Sequence, residues 1–108
     1  MNVQLYIWQR ATAAILAPMV FVHLAVILYA TRHGFSAADI LARTQGSIAW
    51  ATFYGVFVIA AAIHASIGLR NVMSEWLLLT PRRAGRTAIG IGVLLAVLGL
   101  RAVAAVVL

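Results

Sequence analysis

Residues 48–70 read IAWATFYGVFVIAAAIHASIGLR. From Thr44 to Leu69 the chain carries no formal charge, and the run closes on Arg70. A helix that crosses a bilayer needs about 20 predominantly apolar residues, and this stretch supplies them. Two further windows of the same kind flank it, at about residues 11–31 and 88–108. Hydrocarbon offers no water to bond backbone amides, so apolar segments of this length must be helical. The expected fold is an all-α membrane protein: three transmembrane helices spanning about 11–31, 48–69 and 88–108, in one anchor domain over residues 1–108.

Composition agrees with that solvent. The chain has 108 residues, of which 65% are hydrophobic and 9% charged. Its mean hydropathy is +1.04, too apolar for a water-soluble domain of this size. Almost no length remains for a soluble catalytic module. The first window is too long for a cleaved signal and lacks a small-residue cleavage site, so it is expected to stay as a span. Cysteine is absent, which excludes disulfides, thiolate catalysis and cysteine ligation of iron–sulfur clusters.

The net charge of +6 is placed asymmetrically. Arg10 precedes the first span, and Arg70, Arg82, Arg83 and Arg86 fall between the second and third. The opposite loop holds Arg32, Arg43 and Asp39. The positive-inside bias therefore sets the N-terminus and the second loop in the cytoplasm. The arginine cluster reads as a topology signal in contact with anionic lipid headgroups, and no nucleic-acid partner is expected. Ser36-Ala37-Ala38-Asp39 has the form of a helix start, with an N-cap and an acid three residues on. It should open a short outer helix, Ala37 to Arg43, before Gln45-Gly46 releases the chain. Thr80-Pro81 should end any helical extension past Trp76, and Gly85 to Thr87 should re-enter the membrane with Thr87 as cap. Gly90, Gly92 and Gly99 give the third span small surfaces for close helix packing.

His64 stands out because an ionisable residue inside a span is a functional-site hypothesis by default. Histidine is also the commonest protein ligand for metals, haem iron included. It lies six residues before Arg70, about 9 Å along a helix, and so in the cytoplasmic half. Phe53, Phe57, Ala60, Ala61 and Gly68 recur near its face or flanks. Gly68, one turn on, leaves room for a flat macrocycle near the backbone, and Arg10 could pair with a haem propionate. On residues alone, a haem ligand and a histidine hydrogen-bonded to another helix both remain open.

The stretch His64-Ala-Ser-Ile-Gly68-Leu-Arg70, with Glu75 eleven residues after the histidine, resembles the second-helix signature of the succinate dehydrogenase/fumarate reductase cytochrome b membrane-anchor family. Gln9-Arg10-Ala11-Thr12-Ala13 is similar to that family's first-helix start. The resemblance covers nearly the whole chain, with those two stretches specific. It implies a subunit of a succinate:quinone oxidoreductase in a bacterial cytoplasmic membrane, not catalytic by itself, serving electron transport and the tricarboxylic acid cycle. The partners it implies are a second membrane-anchor chain, an iron–sulfur subunit and a flavoprotein subunit. It also implies a shared haem b with His64 as axial ligand, and Arg10 as a propionate or quinone partner. Glu75 matches the acid near the quinone. Trp76 stands where one of the family's two anchor chains has a quinone-bonding tyrosine. Indole N–H can donate but is no phenol.

Quinone reduction takes up two electrons and two protons, so its site needs donors and a route to water. The cytoplasmic layer offers Trp8, Gln9, Arg10 and Thr12 with Glu75 and Trp76, whereas His33, Asp39 and Arg43 lie on a short outer loop expected to be solvated. His23 is thirteen residues beyond Arg10, about 20 Å along the helix, too deep to share one haem plane with His64. The wider group includes members with two stacked haems, so His23 is a candidate ligand of a second, outer haem; a structural ring between helices is the other reading. A haem-free transporter or proton-pathway subunit is the alternative function, with His23 and His64 as relay groups, although neither Asp39 nor Glu75 falls within a span.

Overall fold

A computed structural model describes residues 2–108. Four helices follow one another: α1 (Val3–His33), α2 (Ala37–Thr44), α3 (Ile48–Glu75) and α4 (Pro81–Val107). The described residues contain no strand. Helices α1, α3 and α4 are each long and apolar enough to cross a membrane. They overshoot the expected windows at one end of the bundle, at the start of α1, the end of α3 and the start of α4. Hydropathy marks only the part in hydrocarbon, whereas the hydrogen-bond ladder runs on until a cap stops it. At about 1.5 Å per residue, α1 exceeds the roughly 30 Å hydrocarbon core by several turns.

Each start has a local cause. Asn2 accepts from the Leu5 N–H at 2.8 Å, Ser47 accepts from Trp50 N–H at 3.2 Å, and Thr80 accepts from Arg83 N–H at 3.3 Å. The last of these corrects an expectation. Thr80-Pro81 does not merely end the second span; it starts the third, with Pro81 in the first turn, where a missing N–H costs nothing. Thr87 is therefore an interior residue of α4 and not its cap, and Arg82, Arg83 and Arg86 ride on the first turns of that helix. Ahead of it, Leu78 takes a left-handed conformation, φ 54°, and the Leu79 N–H closes on the Met73 carbonyl at 3.1 Å.

The outer loop forms as its sequence indicates, with α2 ending one residue later than expected. Ser36 and Asp39 make a reciprocal capping box: Ser36 Oγ accepts from the Asp39 N–H, and the Asp39 carboxylate accepts from the Ser36 N–H. Gly34 ends α1 at φ +109°, a conformation that side chains rarely adopt, and a Cβ there would lie 2.6 Å from Asp39 Oδ2. Arg43 is less solvated than expected, donating to the Gly34 carbonyl at 2.7 Å with its guanidinium over the Tyr29 ring. His33 is exposed and stacks on Tyr29. The end of α2 also meets the last carbonyls of α4: Thr44 Oγ1 is 2.6 Å from Val106 O, and Gly46 N–H donates to Val107 O at 2.8 Å.

Helix α3 is the middle of the three spans, with α1 packed along one side and α4 along the other. The α3–α4 seam is built from small residues. A Cβ on Gly99 would come within 2.5 Å of Val58 Cγ1, one on Gly92 within 3.0 Å of Ser66 Cβ, and Ser66 Oγ donates across the seam to Ala88 O at 2.9 Å. Backbones that approach this closely gain van der Waals contact, the main attraction left between helices in lipid. The α1–α3 contact is lighter and leaves grooves beside it. Exposed Phe21, Leu24, Leu28, Val93 and Leu98 lie on the apolar exterior of the bundle.

Candidate functional site between α1 and α3

Thr12 enters α1 nine residues from its start, and His64 lies eleven residues before the end of α3. The two helices run antiparallel, so these counts bring both side chains to one layer. Thr12 is 3% exposed, the most buried polar residue described. Its Oγ1 lies 2.8 Å from Trp8 O, 3.1 Å from Gln9 O and 3.1 Å from His64 Nδ1. The His64 ring is half-buried. One nitrogen is thus engaged inside the chain.

Gln9, nearly one turn nearer the start of α1, crosses to Gly68. A Cβ on Gly68 would meet only Gln9 Nε2, at 3.5 Å, which is ordinary contact; nothing within the chain requires glycine there. The other end of the same amide, Oε1, is buried with no hydrogen-bond partner. A buried acceptor left unpaired costs on the order of 1–3 kcal/mol, so it marks a place where a donor from outside the chain would be welcome. Trp8 lines an apolar groove of about 340 Å³ with Thr12, Ile15, Ile59 and Ile63.

A family model described as the succinate dehydrogenase/fumarate reductase transmembrane subunit matches residues 1–104. The chain belongs to this family. No curated protein and no solved structure matches it. Membership makes the chain a multi-pass membrane subunit of a multi-subunit complex.

Other candidate residues of the transmembrane subunit are placed differently from one another. Arg10 is exposed, its guanidinium 5.9 Å from the Tyr6 ring centroid, and it does not join the Thr12–His64 layer. Helical geometry explains this: two residues turn the helix by about 200°, so Arg10 faces away from α3 when Thr12 faces it. Glu75 closes α3, and Trp76 caps it with 79% of its surface exposed. An acid at a helix C-terminus opposes the macrodipole, so Glu75 sits there against local preference.

His23 occupies a second, outer layer. Its ring meets Tyr54 and Phe57 edge-on, at centroid distances of 5.9 and 5.4 Å, and its Nδ1 is buried without a partner. It lines a cavity of about 430 Å³ with Tyr54, Phe57, Arg43 and Thr44. Phe57 belongs to this outer layer. It shares the His64 face of α3 but lies two turns further out, about 10 Å along the axis. The contact that sequence reasoning missed is that of Thr12 with His64. The Thr12 hydroxyl marks it as a quinone-site candidate, and no local signal pairs two residues 52 apart on separate helices.

Proposed function

We propose that this subunit supplies His64 as an axial ligand of a b-type haem shared with a second anchor chain. In this reading it docks an iron–sulfur and a flavoprotein subunit at the cytoplasmic face of a bacterial inner membrane. The supporting observation is the hydrogen bond of buried Thr12 to His64 Nδ1, which leaves Nε2 as the ring's free nitrogen. Metal-bound histidine almost always has its other nitrogen engaged in this way. The fit extends to Gly68, unconstrained by its own chain beside the ligand, and to the orphan Gln9 Oε1. Bound there, the haem supplies a one-electron carrier in the apolar interior.

Quinone reduction belongs at the cytoplasmic boundary in this reading. Glu75 can relay protons from water, while Trp76, Gln9 and exposed Arg10 offer donors near the same level. The relay alternative is weaker, since the ten residues between Thr12 and His23 carry no polar side chain to bridge the layers. The test is His64→Leu in the intact complex. Loss of the b-type bands from the dithionite-reduced spectrum is expected; an unchanged spectrum and midpoint potential would remove His64 as ligand.

A further inference from the structure

We propose that Thr12 is a positioning residue that fixes the tautomer and orientation of His64, acting as a hydrogen-bond acceptor for its Nδ1–H. The inference rests on the haem reading of His64. A threonine hydroxyl has one proton and two lone pairs. Two backbone carbonyls, Trp8 O at 2.8 Å and Gln9 O at 3.1 Å, stand ready to take that proton. Both belong to the helix that carries Thr12, so this donation holds the side chain in one rotamer. The oxygen then presents a lone pair to His64 Nδ1, 3.1 Å away on the neighbouring helix. The ring must therefore carry its proton on Nδ1 and keep Nε2 bare, as an axial ligand needs.

Burial strengthens the arrangement. Thr12 is 3% exposed, so water does not compete for the bond, and a hydrogen bond in a low-dielectric interior is electrostatically stronger. An acceptor on the remote N–H also raises the basicity of the ligating nitrogen. A more basic ligand favours ferric over ferrous iron, so Thr12 lowers the haem's midpoint potential. One hydroxyl on α1 thus tunes a ligand on α3 and couples the α1–α3 contact to the redox site.

The experiment uses the assembled complex with three substitutions: Thr12→Val, Thr12→Ser and His64→Leu. Valine keeps the shape and removes the oxygen, whereas serine keeps the oxygen and removes the methyl. Thr12→Val is expected to weaken haem retention by about 10- to 100-fold and to move the midpoint potential upward. A tenfold shift in ferric-over-ferrous preference corresponds to about 59 mV. Thr12→Ser should restore the wild-type potential, an outcome that a purely packing role would not give. Unchanged potential and haem retention in Thr12→Val, with haem lost in His64→Leu, would overturn the role of Thr12 and leave the ligand standing. Haem retained in His64→Leu would overturn the ligand itself. If Thr12→Val fails to assemble, pulsed EPR of the wild-type ferric haem decides. An exchangeable, hydrogen-bonded proton on the remote histidine nitrogen supports the inference, and a remote nitrogen without one overturns it.

Discussion

Two histidines lie inside the apolar helices, and their surroundings differ in kind. His64 has a hydroxyl on one nitrogen, a small residue one turn away and an orphan amide oxygen close by. His23 has two aromatic edges around it and an unpaired Nδ1. The first environment orients a ring by a directional bond and leaves its other nitrogen available. The second holds a ring by shape and dispersion, with no polar group to choose its tautomer. Intramembrane location makes both histidines candidates; the partner on the second nitrogen separates them.

The comparison can be strained from several directions. The largest effect is expected on quinone chemistry, since proton transfer by a placed side chain contributes about 10²- to 10⁴-fold. Glu75→Leu should lower succinate–quinone turnover by about 10²-fold, while succinate oxidation with an artificial acceptor continues. Arg10→Leu should act in the same direction. Outer-loop changes at Arg43 should leave turnover near wild type. Normal turnover in assembled Glu75 and Arg10 variants would move the site to the partner chain or the outer face.

Two glycines offer the next contrast. Gly99→Ala drives a Cβ into Val58, so overpacking should cost about 1–3 kcal/mol and reduce assembled complex in detergent melts. Gly68→Ala meets only Gln9 at contact distance, so the subunit should assemble normally. Its haem content should nonetheless fall. Equal behaviour of the two variants would remove the claim that Gly68 faces a group outside the chain.

Much of this was legible in advance. The three spans follow from length and apolarity, and the α2 capping box follows from Ser36 and Asp39. Two features were not. Thr80-Pro81 satisfies the rule for a stop as well as the rule for a start, and only the closure of the chain between α3 and α4 selects the start. The Thr12–His64 bond joins residues 52 apart in sequence, and no local pattern encodes an interhelical pair. Arg10 illustrates a related limit. Depth along α1 sets it near the level of Thr12, and the 100° step per residue turns it away from the α3 side.

Smaller effects sharpen the outer region. His23→Phe removes a buried polar nitrogen that has no partner, so stability should change by less than about 1 kcal/mol. A large loss in thermal melts would mean that an external donor satisfies Nδ1. The smallest effect concerns α2. The Ser36 hydroxyl, and then the Ser36 N–H, hold the Asp39 carboxyl below its ordinary value of 3.8. A carboxyl lowered on folding contributes stability that is complete above the unfolded value and disappears as pH falls through the folded one. The protection of α2 amides relative to those of α3 should thus be flat from neutral pH to about 5 and fall only in stronger acid. Loosening of α2 near neutral pH would contradict the capping role.

The most direct measurement is haem per complex by the pyridine haemochrome assay, made side by side on His64→Leu and His23→Phe. The account predicts that the first loses the haem and the second retains the wild-type stoichiometry. Retention in His64→Leu, or loss in His23→Phe while His64→Leu keeps its haem, would contradict it by placing the ligand in the outer layer.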